Sequence, residues 1–510
     1  MLLSPNHVVL WLPLCFLPYI VLRIFAVRLQ SSNKQRRAAI LHELGRPNSQ
    51  IVGFFHPYCN AGGGGERVLW TAIASIQRSE SDIVNVVYSG DTDTTKELIL
   101  DKVKSRFAIS LDPSTIHFVF LASRKLVEDS SWPRFTLLGQ SIGSMYLAWE
   151  AVSFLIPDLY IDTMGYAFTF HVVSLLGNIP VGAYIHYPTI STDMLARVKT
   201  RTRGHTNSGA ISSSSILSRG KLLYYRVFMY YYALSLQVAS FLMVNSSWTK
   251  NHVDGILNHS DALLDAVHMI SPLILVRLLL PFRSRTTKAR IVYPPCDTRE
   301  MAQFTLQGRQ RIVLSVAQFR PEKDHSTQLH ALHELLESHP KYKSGGALPV
   351  KLVLVGGSRN ADDAARVDSL RELAKELTVE NQVEFVVNAS YPVMLGWLAK
   401  ASIGLSTMVD EHFGINVVEF MAAGVIPIAH ASGGPLKDII VPFNGLPTGY
   451  HAETPAAFAD AIHTALTLPT DEEFAIRLRA RTWAVQRFSE EEFEKEWNES
   501  GWKLRLPSAH

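Results

Sequence analysis

The sequence predicts a two-domain α/β protein in which each domain is a parallel sheet with helices on both faces. Three observations predict it. The chain has 510 residues, too many for one ordinary hydrophobic core. Short apolar runs alternate with helical stretches, the pattern of strands buried on both faces of a sheet. That pattern stops at the paired prolines Pro294 and Pro295 and then starts again.

Taken in order, the chain opens on "VVLWLPLCFLPYIVLRIFAV", Val8 to Val27, with no charge before Arg23. Roughly 20 helical residues span about 30 Å, one hydrocarbon core, so this stretch reads as a membrane anchor. A cleaved signal peptide needs basic residues before the apolar run and a small-residue cleavage site after it. Here the basic residues follow instead: Arg23, Arg28, Lys34, Arg36 and Arg37. By the positive-inside rule that flank, and the bulk of the chain behind it, is cytosolic.

From Ile51 the α/β pattern begins. "IVGFFHP" is strand-like, and "AGGGGERVLWTAIASI" is a glycine loop opening a helix with Val68, Leu69, Ala72 and Ile76 on one face. "DIVNVVYSG", "LYIDTMG" and "PVGAYIHYP" are further strands. Residues 202–220 are Ser/Gly-rich without apolar periodicity, a loop composition. Residues 222–244 are nearly all apolar or aromatic. They read either as a buried helix followed by the strand "SFLMVNS" or as a helix lying at a membrane interface. "SPLILVRLLLPF", 271–282, is a second apolar patch, shorter than a span. After "IVYPPCD" come "RIVLSVAQFRPEKDH", "PVKLVLVGG", "NQVEFVVNAS", "ASIGLSTM" and "VIPIAHASGG", a second set of strands. The expected organisation is an anchor and basic flank over 1–44, one Rossmann-like domain over 45–295, a second over 296–470, and a helical tail over 471–510.

Composition limits the function. Hydrophobic residues make up 47% and charged residues 19%, which suits a folded chain with membrane contact and excludes disorder. Lys and Arg number 49 against 46 Asp and Glu, a net charge of +3. That balance carries no footprint of nucleic-acid binding. Cys15, Cys59 and Cys296 are odd in number and far apart, which fits a reducing compartment and neither a disulfide framework nor a zinc site.

Four groups of residues carry chemistry. Gly62 to Gly65 stand between a strand and a helix, where backbone N–H groups and the helix dipole favour phosphate; a tight strand-to-helix turn explains the same glycines. "FRPEKDH" puts Arg320 and Lys323 just past a strand end, where ligands bind open α/β sheets. Two cations there suit a diphosphate. "EHFGINVVEF" sets Glu411 in the loop after "IGLSTM" and Glu419 in the first turns of a helix starting near Ile415, with Gly414 between them. Each carboxylate can accept two hydrogen bonds from neighbouring hydroxyls, so one acid can face a sugar and the other a ribose diol. "DTD", residues 91–93, mimics a metal-binding motif but reads as a polar helix start.

Glu411-x7-Glu419 on a strand-loop-helix, with Arg320 and Lys323 earlier in the same half, resembles the retaining glycosyltransferases of family 4, which have the GT-B fold of two Rossmann-like domains facing a cleft. The resemblance covers nearly the whole chain after the anchor. "FFHPYCNAGGGGERVLW", "GAYIHYPTISTDML", "YPPCD" and "EHFGINVVEFMAAGVIPIAHASGGP" are similar to the α-1,2-mannosyltransferases of that family that build the N-glycan precursor. The resemblance implies transfer of the fourth and fifth mannoses from GDP-mannose to dolichyl-diphosphate-linked Man3GlcNAc2. It implies work at the cytosolic face of the endoplasmic reticulum membrane, with other mannosyltransferases of the pathway as partners and no cofactor or metal.

The resemblance also implies roles. Gly64 and Gly65 approach the donor diphosphate, and Arg320 and Lys323 neutralise it as it leaves. Glu419 binds the ribose. Glu411 contacts the mannose near its 3- and 4-hydroxyls. Phe413, Gly414 and Ile415 complete the donor-binding turn. His186, in "IHYP", touches the transferred sugar beside its anomeric carbon; without the resemblance, a lone histidine is more often structural. Two rival readings are another GT-B nucleotide-sugar transferase acting on a lipid-linked acceptor, and an inactive membrane scaffold. A dinucleotide oxidoreductase is disfavoured, because no G-x-G-x-x-G follows the first strand.

Overall fold

The structure, a computed structural model, describes residues 5–190, 215–270 and 288–507. These fall into two compact units. The first comprises residues 1–245, 249–292 and 496–510; the second comprises 246–248 and 293–495.

The sheet of the first unit has seven strands: β1 (Gln50–Phe55), β2 (Ile83–Ser89), β3 (Ile116–Phe120), β4 (Leu159–Asp162), β5 (Val181–Ile185), β6 (Phe241–Val244) and β7 (Arg290–Ile291). Their order is β3-β2-β1-β4-β5-β6-β7, and every pairing is parallel. The helices are α1 (Pro5–Glu43), α2 (Gly64–Ser79), α3 (Lys96–Phe107), α4 (Thr136–Phe154), α5 (Thr169–Gly177), α6 (Ser215–Leu236), α7 (Ser247–Leu257) and α8 (Ala262–Ile270). The predicted inner face of α2 is found: Val68, Leu69, Ala72 and Ile76 are fully buried.

The sheet of the second unit has six strands: β8 (Gln310–Val316), β9 (Lys351–Gly356), β10 (Val383–Val387), β11 (Ala401–Ser406), β12 (Ile426–His430) and β13 (Tyr450–Ala452). Their order is β10-β9-β8-β11-β12-β13, again all parallel. Around them lie α9 (His325–Ser338), α10 (Ala361–Glu376), α11 (Tyr391–Lys400), α12 (Ile415–Ala423), α13 (Pro455–Leu466), α14 (Thr470–Phe488) and α15 (Glu490–Asn498). Each sheet reverses its winding at one place, between β1 and β4 and between β8 and β11. Loops leaving the carboxyl ends of strands at such a switch point diverge and leave a crevice for ligand.

The tail divides between the units. Arg477 of α14 is buried in the second unit and donates to Ser402 O at 2.9 Å and Gly424 O at 2.7 Å. Trp497, at the end of α15, is buried in the first unit and stacks 6.2 Å from Phe54 of β1.

Most of the side chains over Val8 to Val27, where a membrane-spanning helix is expected, lie outside the described residues. No helix among the described residues is long and apolar enough to cross a membrane. The apolar run is the first half of a 39-residue helix, α1, that continues through Arg23, Arg28 and Lys34. Ala26, Leu29 and Leu41 are buried in the core of the first unit. Asn33 donates to Ile156 O at 3.2 Å, and Gln30 to Leu176 O at 2.7 Å. Protein receives that face from Ala26 onward, while Leu17, Ile20, Val21, Ile24 and Val27 are exposed.

For residues 222–244, the buried-helix reading is the observed one: Phe228, Met229, Tyr232 and Leu236 of α6 are core residues, and β6 follows. The apolar patch at 271–282 and most of the Ser-rich stretch lie outside the described residues.

Candidate active site

In the second unit, two loops leave the sheet at the β8/β11 switch point. After β8 the chain runs through Arg320 and a short turn, Pro321–Lys323, to Asp324, whose side chain caps α9. After β11 it runs through Thr407 to Glu411. Thr407 is buried and ties the two loops together. Its hydroxyl donates to the backbone carbonyls of Lys323 (3.1 Å) and Asp324 (2.9 Å) and accepts from Gln328 Nε2 at 3.0 Å. The side chains then meet: Lys323 Nζ lies 2.5 Å from Glu411 Oε2, with 23% and 12% of the two side chains exposed.

The loop after β12 braces Glu411 from behind. Gly434 N–H donates to Glu411 O at 2.7 Å, and Asp410 N–H donates to Ser432 Oγ at 2.7 Å. Gly433 has φ +62°, and a Cβ there would lie 2.2 Å from Glu411 O. Gly414 has φ +112° and forms the N-cap of α12, turning the chain directly from the Glu411 loop into the helix. Gly404 of β11 lets Phe420 of α12 sit against the sheet, since a Cβ there would lie 2.3 Å from the ring.

The far end of α12 is anchored by guanidinium groups. Arg481 donates to Ala422 O at 2.9 Å and Ala423 O at 3.1 Å; Arg309 also reaches Ala423 O, and Arg477 reaches Gly424 O. Burial and the neighbouring Arg477 and Arg481 pull the Arg309 guanidinium down to about 10. Cations at a helix C-terminus satisfy its unpaired carbonyls and complement its dipole. They hold the helix whose N-terminus opens at Gly414.

The remaining predicted donor residues separate into three cases. Glu419 is half-buried on the same helical face as Ile415 and Asn416, and Asn416 Nδ2 donates to Val316 O at the end of β8, 3.2 Å away. That face therefore looks toward the switch point. Phe413 is 3% exposed and packs 5.8 Å from Tyr293 and 5.5 Å from Phe488. Its ring belongs to the core, and only its backbone is left for a ligand. Arg320 stands 3.6 Å from Glu322 and lines a cavity of about 590 Å³ with Asn360, Asp363 and Arg366. Lys323 N–H donates to the Arg320 backbone carbonyl at 3.1 Å, but no described side-chain contact joins the Arg320 guanidinium to the Lys323–Glu411 pair.

In the first unit the β1/β4 switch point gathers a second group. His186 follows β5, and a Cβ on Gly65 would lie 3.5 Å from its Nε2. So the structure brings together two residues predicted from motifs 121 positions apart (186 − 65). The same Nε2 is 3.2 Å from Thr163 O, and Asn245 Nδ2 donates to His186 O at 2.9 Å. His56, at the end of β1, is buried with Nδ1 2.7 Å from Thr163 Oγ1. Burial, reinforced by His186, pulls its imidazole down to about 3. Asp162, at the end of β4, is fully buried and accepts from Gly165 N–H at 2.9 Å; burial pushes its carboxyl up to about 7. At the head of α2, Glu66 accepts from Gly63 N–H at 2.8 Å, so the protein itself occupies one donor of the glycine loop.

Asp91 of the "DTD" stretch is buried, pairs with Arg124 and accepts from Asn60 N–H at 3.0 Å. The helix that follows starts later, at Lys96, with Thr95 as its cap. Among the described residues no group of three or more His, Cys, Asp or Glu is placed to hold a metal ion.

Sequence reasoning did not single out Thr407, Ser432, Gly433, His56 or Thr163. The adjacent glycines of "ASGGP" after a strand were the available signal for the brace.

Two family models match the chain. Residues 49–257 match ALG11 mannosyltransferase N-terminus, and residues 297–482 match Glycosyl transferases group 1. A Mus musculus protein named GDP-Man:Man(3)GlcNAc(2)-PP-Dol alpha-1,2-mannosyltransferase is 43% identical over 480 residues, covering 93% of this chain and 91% of its own. The chain belongs to that mannosyltransferase family. A Homo sapiens protein of the same name is 43% identical over 456 residues, covering 88% of this chain and 85% of its own. Among solved structures, Anabaena Alr3699/HepE in complex with UDP and glucose is similar with a TM-score of 0.54 at 16% identity, over 88% of this chain and 98% of that one. At that identity the likeness concerns the fold alone, which is GT-B-like. The mannosyltransferase family is thus a glycosyltransferase family on two parallel sheets, and the site residues above lie within its two matched regions.

Proposed function

We propose that the chain is a retaining α-1,2-mannosyltransferase that adds the fourth and fifth mannoses from GDP-mannose to dolichyl-diphosphate-linked Man3GlcNAc2. The observation that carries the proposal is the Lys323–Glu411 pair at the switch point of the second sheet, in a chain 43% identical to relatives bearing that name. Breaking the C1–O bond of the donor leaves positive charge on the sugar and negative charge on GDP. Lys323, Arg320 and the N–H groups at the start of α12 are assigned to the departing diphosphate, where charge develops. Glu419 is assigned to the ribose and Glu411 to the mannose hydroxyls, with Gly414 and Ile415 forming the turn between them. In the first unit, Gly64, Gly65 and His186 are assigned to the diphosphate and the transferred sugar.

GDP-mannose as donor and a lipid diphosphate as acceptor argue for work at the cytosolic face of the endoplasmic reticulum membrane, beside other mannosyltransferases of the pathway. The test is transfer by the purified full chain to a short-chain lipid-linked Man3GlcNAc2. Radiolabelled GDP-mannose is expected to give two successive additions removable by an α-1,2-mannosidase. Transfer from UDP-sugars only, or products resistant to that mannosidase, would overturn the reading in favour of another nucleotide-sugar transferase.

A further inference from the structure

Helix α4 departs from the usual pattern of a surface helix. Such a helix buries an apolar stripe and shows water a polar one. On α4 the buried side combines small residues, Gly143, Ser144, Ala148 and Ala151, with Leu147 and Val152. The outward side is large and apolar. Phe135, at its N-cap, is 67% exposed, followed by Leu138, Ile142 (54%), Met145, Tyr146 (47%) and Trp149. At 100° per residue these six positions fall within an arc of about 100°, one unbroken stripe.

No charged side chain interrupts the stripe. Glu150 is the sole charged residue of α4, and its carboxylate is occupied, accepting from Ala122 N–H at 2.8 Å and Ser123 N–H at 3.2 Å. The stripe continues beyond the helix. Tyr224 of α6 packs 5.7 Å from Phe135, its hydroxyl accepts from Leu138 N–H at 3.1 Å, and the neighbouring Leu223 is exposed. At the other end, Arg36 of α1 donates to Ser153 O of α4, and α1 exposes Ile20, Val21, Ile24 and Val27.

We propose that the outer stripe of α4 is an in-plane docking surface for an anionic lipid bilayer. Two features of the stripe select lipid over a protein partner. The first is its composition: apolar residues with Tyr146 and Trp149, rings favoured at the level of the headgroups. The second is its rim, which is cationic, with Arg134 before Phe135, Lys221 before Tyr224, and Arg28 and Arg36 on α1. Apolar insertion bordered by basic side chains is the arrangement that binds a negatively charged membrane surface. Docking through α4 does not depend on which sugar is transferred.

The test uses the full chain with Cys15→Ser, since Cys59 and Cys296 are buried. Ile142→Cys and Tyr146→Cys are labelled in separate preparations with an environment-sensitive fluorophore. Glu372→Cys, on the exposed face of α10, serves as reference. Vesicles of phosphatidylcholine with phosphatidylinositol carry nitroxide on the acyl chains. Positions 142 and 146 should blue-shift and be quenched through the acyl chains, and 372 should do neither. Ile142→Glu with Trp149→Glu should lower partition to these vesicles by about tenfold or more, with an unchanged melting temperature. Vesicle-bound protein with unquenched labels at 142 and 146 would overturn the proposal. So would a blue shift at these positions without lipid, which would mean that protein covers the stripe.

Discussion

Removing the ammonium of Lys323 separates two effects that the structure predicts to be unequal. The pair it forms with Glu411 is close, at 2.5 Å, and poorly exposed, at 23% and 12% of the side chains. A fully exposed pair contributes about 0–1 kcal/mol, whereas stripping one partner from a buried pair costs about 3–5 kcal/mol. This pair lies between these limits, so Lys323→Ala should destabilise by about 2 kcal/mol. In a unit of this size that lowers the melting temperature by about 4–8 °C. The effect on transfer should be larger. Withdrawing one aligned charge from the departing diphosphate costs roughly 10²–10³ in turnover. Lys323→Arg, which keeps the charge, should retain more activity than Lys323→Ala.

A double-mutant cycle with Glu411→Ala then tells what each residue does. If Lys323 acts on the diphosphate and Glu411 on the sugar, the two losses should multiply. If each only braces the other, the double variant should be no worse than the worse single one. Both readouts come from the same protein: a thermal melt, and kcat/KM with GDP-mannose and the short-chain acceptor. A folded Lys323→Ala protein with kcat/KM within about threefold of wild type would refute the assignment.

Gly433→Ala should cost about 1–3 kcal/mol and reduce turnover, because the new Cβ would lie 2.2 Å from Glu411 O at φ +62°; unchanged activity and melting temperature would contradict the brace. The two buried groups near Thr163 should oppose each other in pH dependence. Asp162, raised to about 7, keeps its proton in the folded state, so its contribution falls as pH rises from about 4 to 7. His56, lowered to about 3, must stay neutral when folded, so its contribution is lost as pH falls from about 6.5 to 3. Relative to wild type, Asp162→Asn should therefore gain stability from pH 4 to pH 7, read from melts across that range. Transfer activity should survive EDTA, since Lys323, Arg320 and the α12 N-terminus are assigned the diphosphate charge; a loss restored by Mn²⁺ or Mg²⁺ would reverse that assignment. No glycan should be found at the sequons of Asn245, Asn258, Asn388 or Asn498 if the chain faces the cytosol, and a mobility shift after endoglycosidase treatment would refute that sidedness. Asn245 is already committed, buried and donating to His186 O at 2.9 Å.

What the sequence showed, and what it hid, follows from the range of the interactions involved. Central strands such as β1, β2, β5, β8 and β11 are buried on both faces, so each is a continuous apolar run visible without knowing its neighbours. The edge strands β7 and β13 are not. β7 pairs only two residues and β13 only three, and neither carries a run long enough to stand out from a loop. The Glu411 loop was legible for a similar reason: strand, glycine turn and helix are contiguous in sequence. Its brace was not. That Gly433 must lie under Glu411 follows only once β12 is known to pair with β11, because that pairing puts the loop after one strand against the loop after the other. Thr407 is hidden in the same way, a threonine at a strand end whose partners are carbonyls 84 and 83 residues earlier.

Helix α1 carries two signals in succession, an apolar run and then a face turned to protein. A count of apolar residues measures how badly a segment tolerates water, and it carries no information on what replaces the water. Over Val8 to Val27 the count matches a bilayer. Yet the spacing of Ala26, Leu29, Asn33 and Arg37, at steps of three and four, is that of a helix with one face on protein. Asn33 and Arg37, beyond that run, show where the helix meets protein. A carboxamide bridging Ile156 N–H and O, and a guanidinium 2.5 Å from Asp158, require fixed polar partners that hydrocarbon does not supply. The periodicity was present in the sequence. It begins where the apolar run ends: Leu29, Asn33 and Arg37 lie beyond Val27, so a window of about twenty residues over the run does not include them.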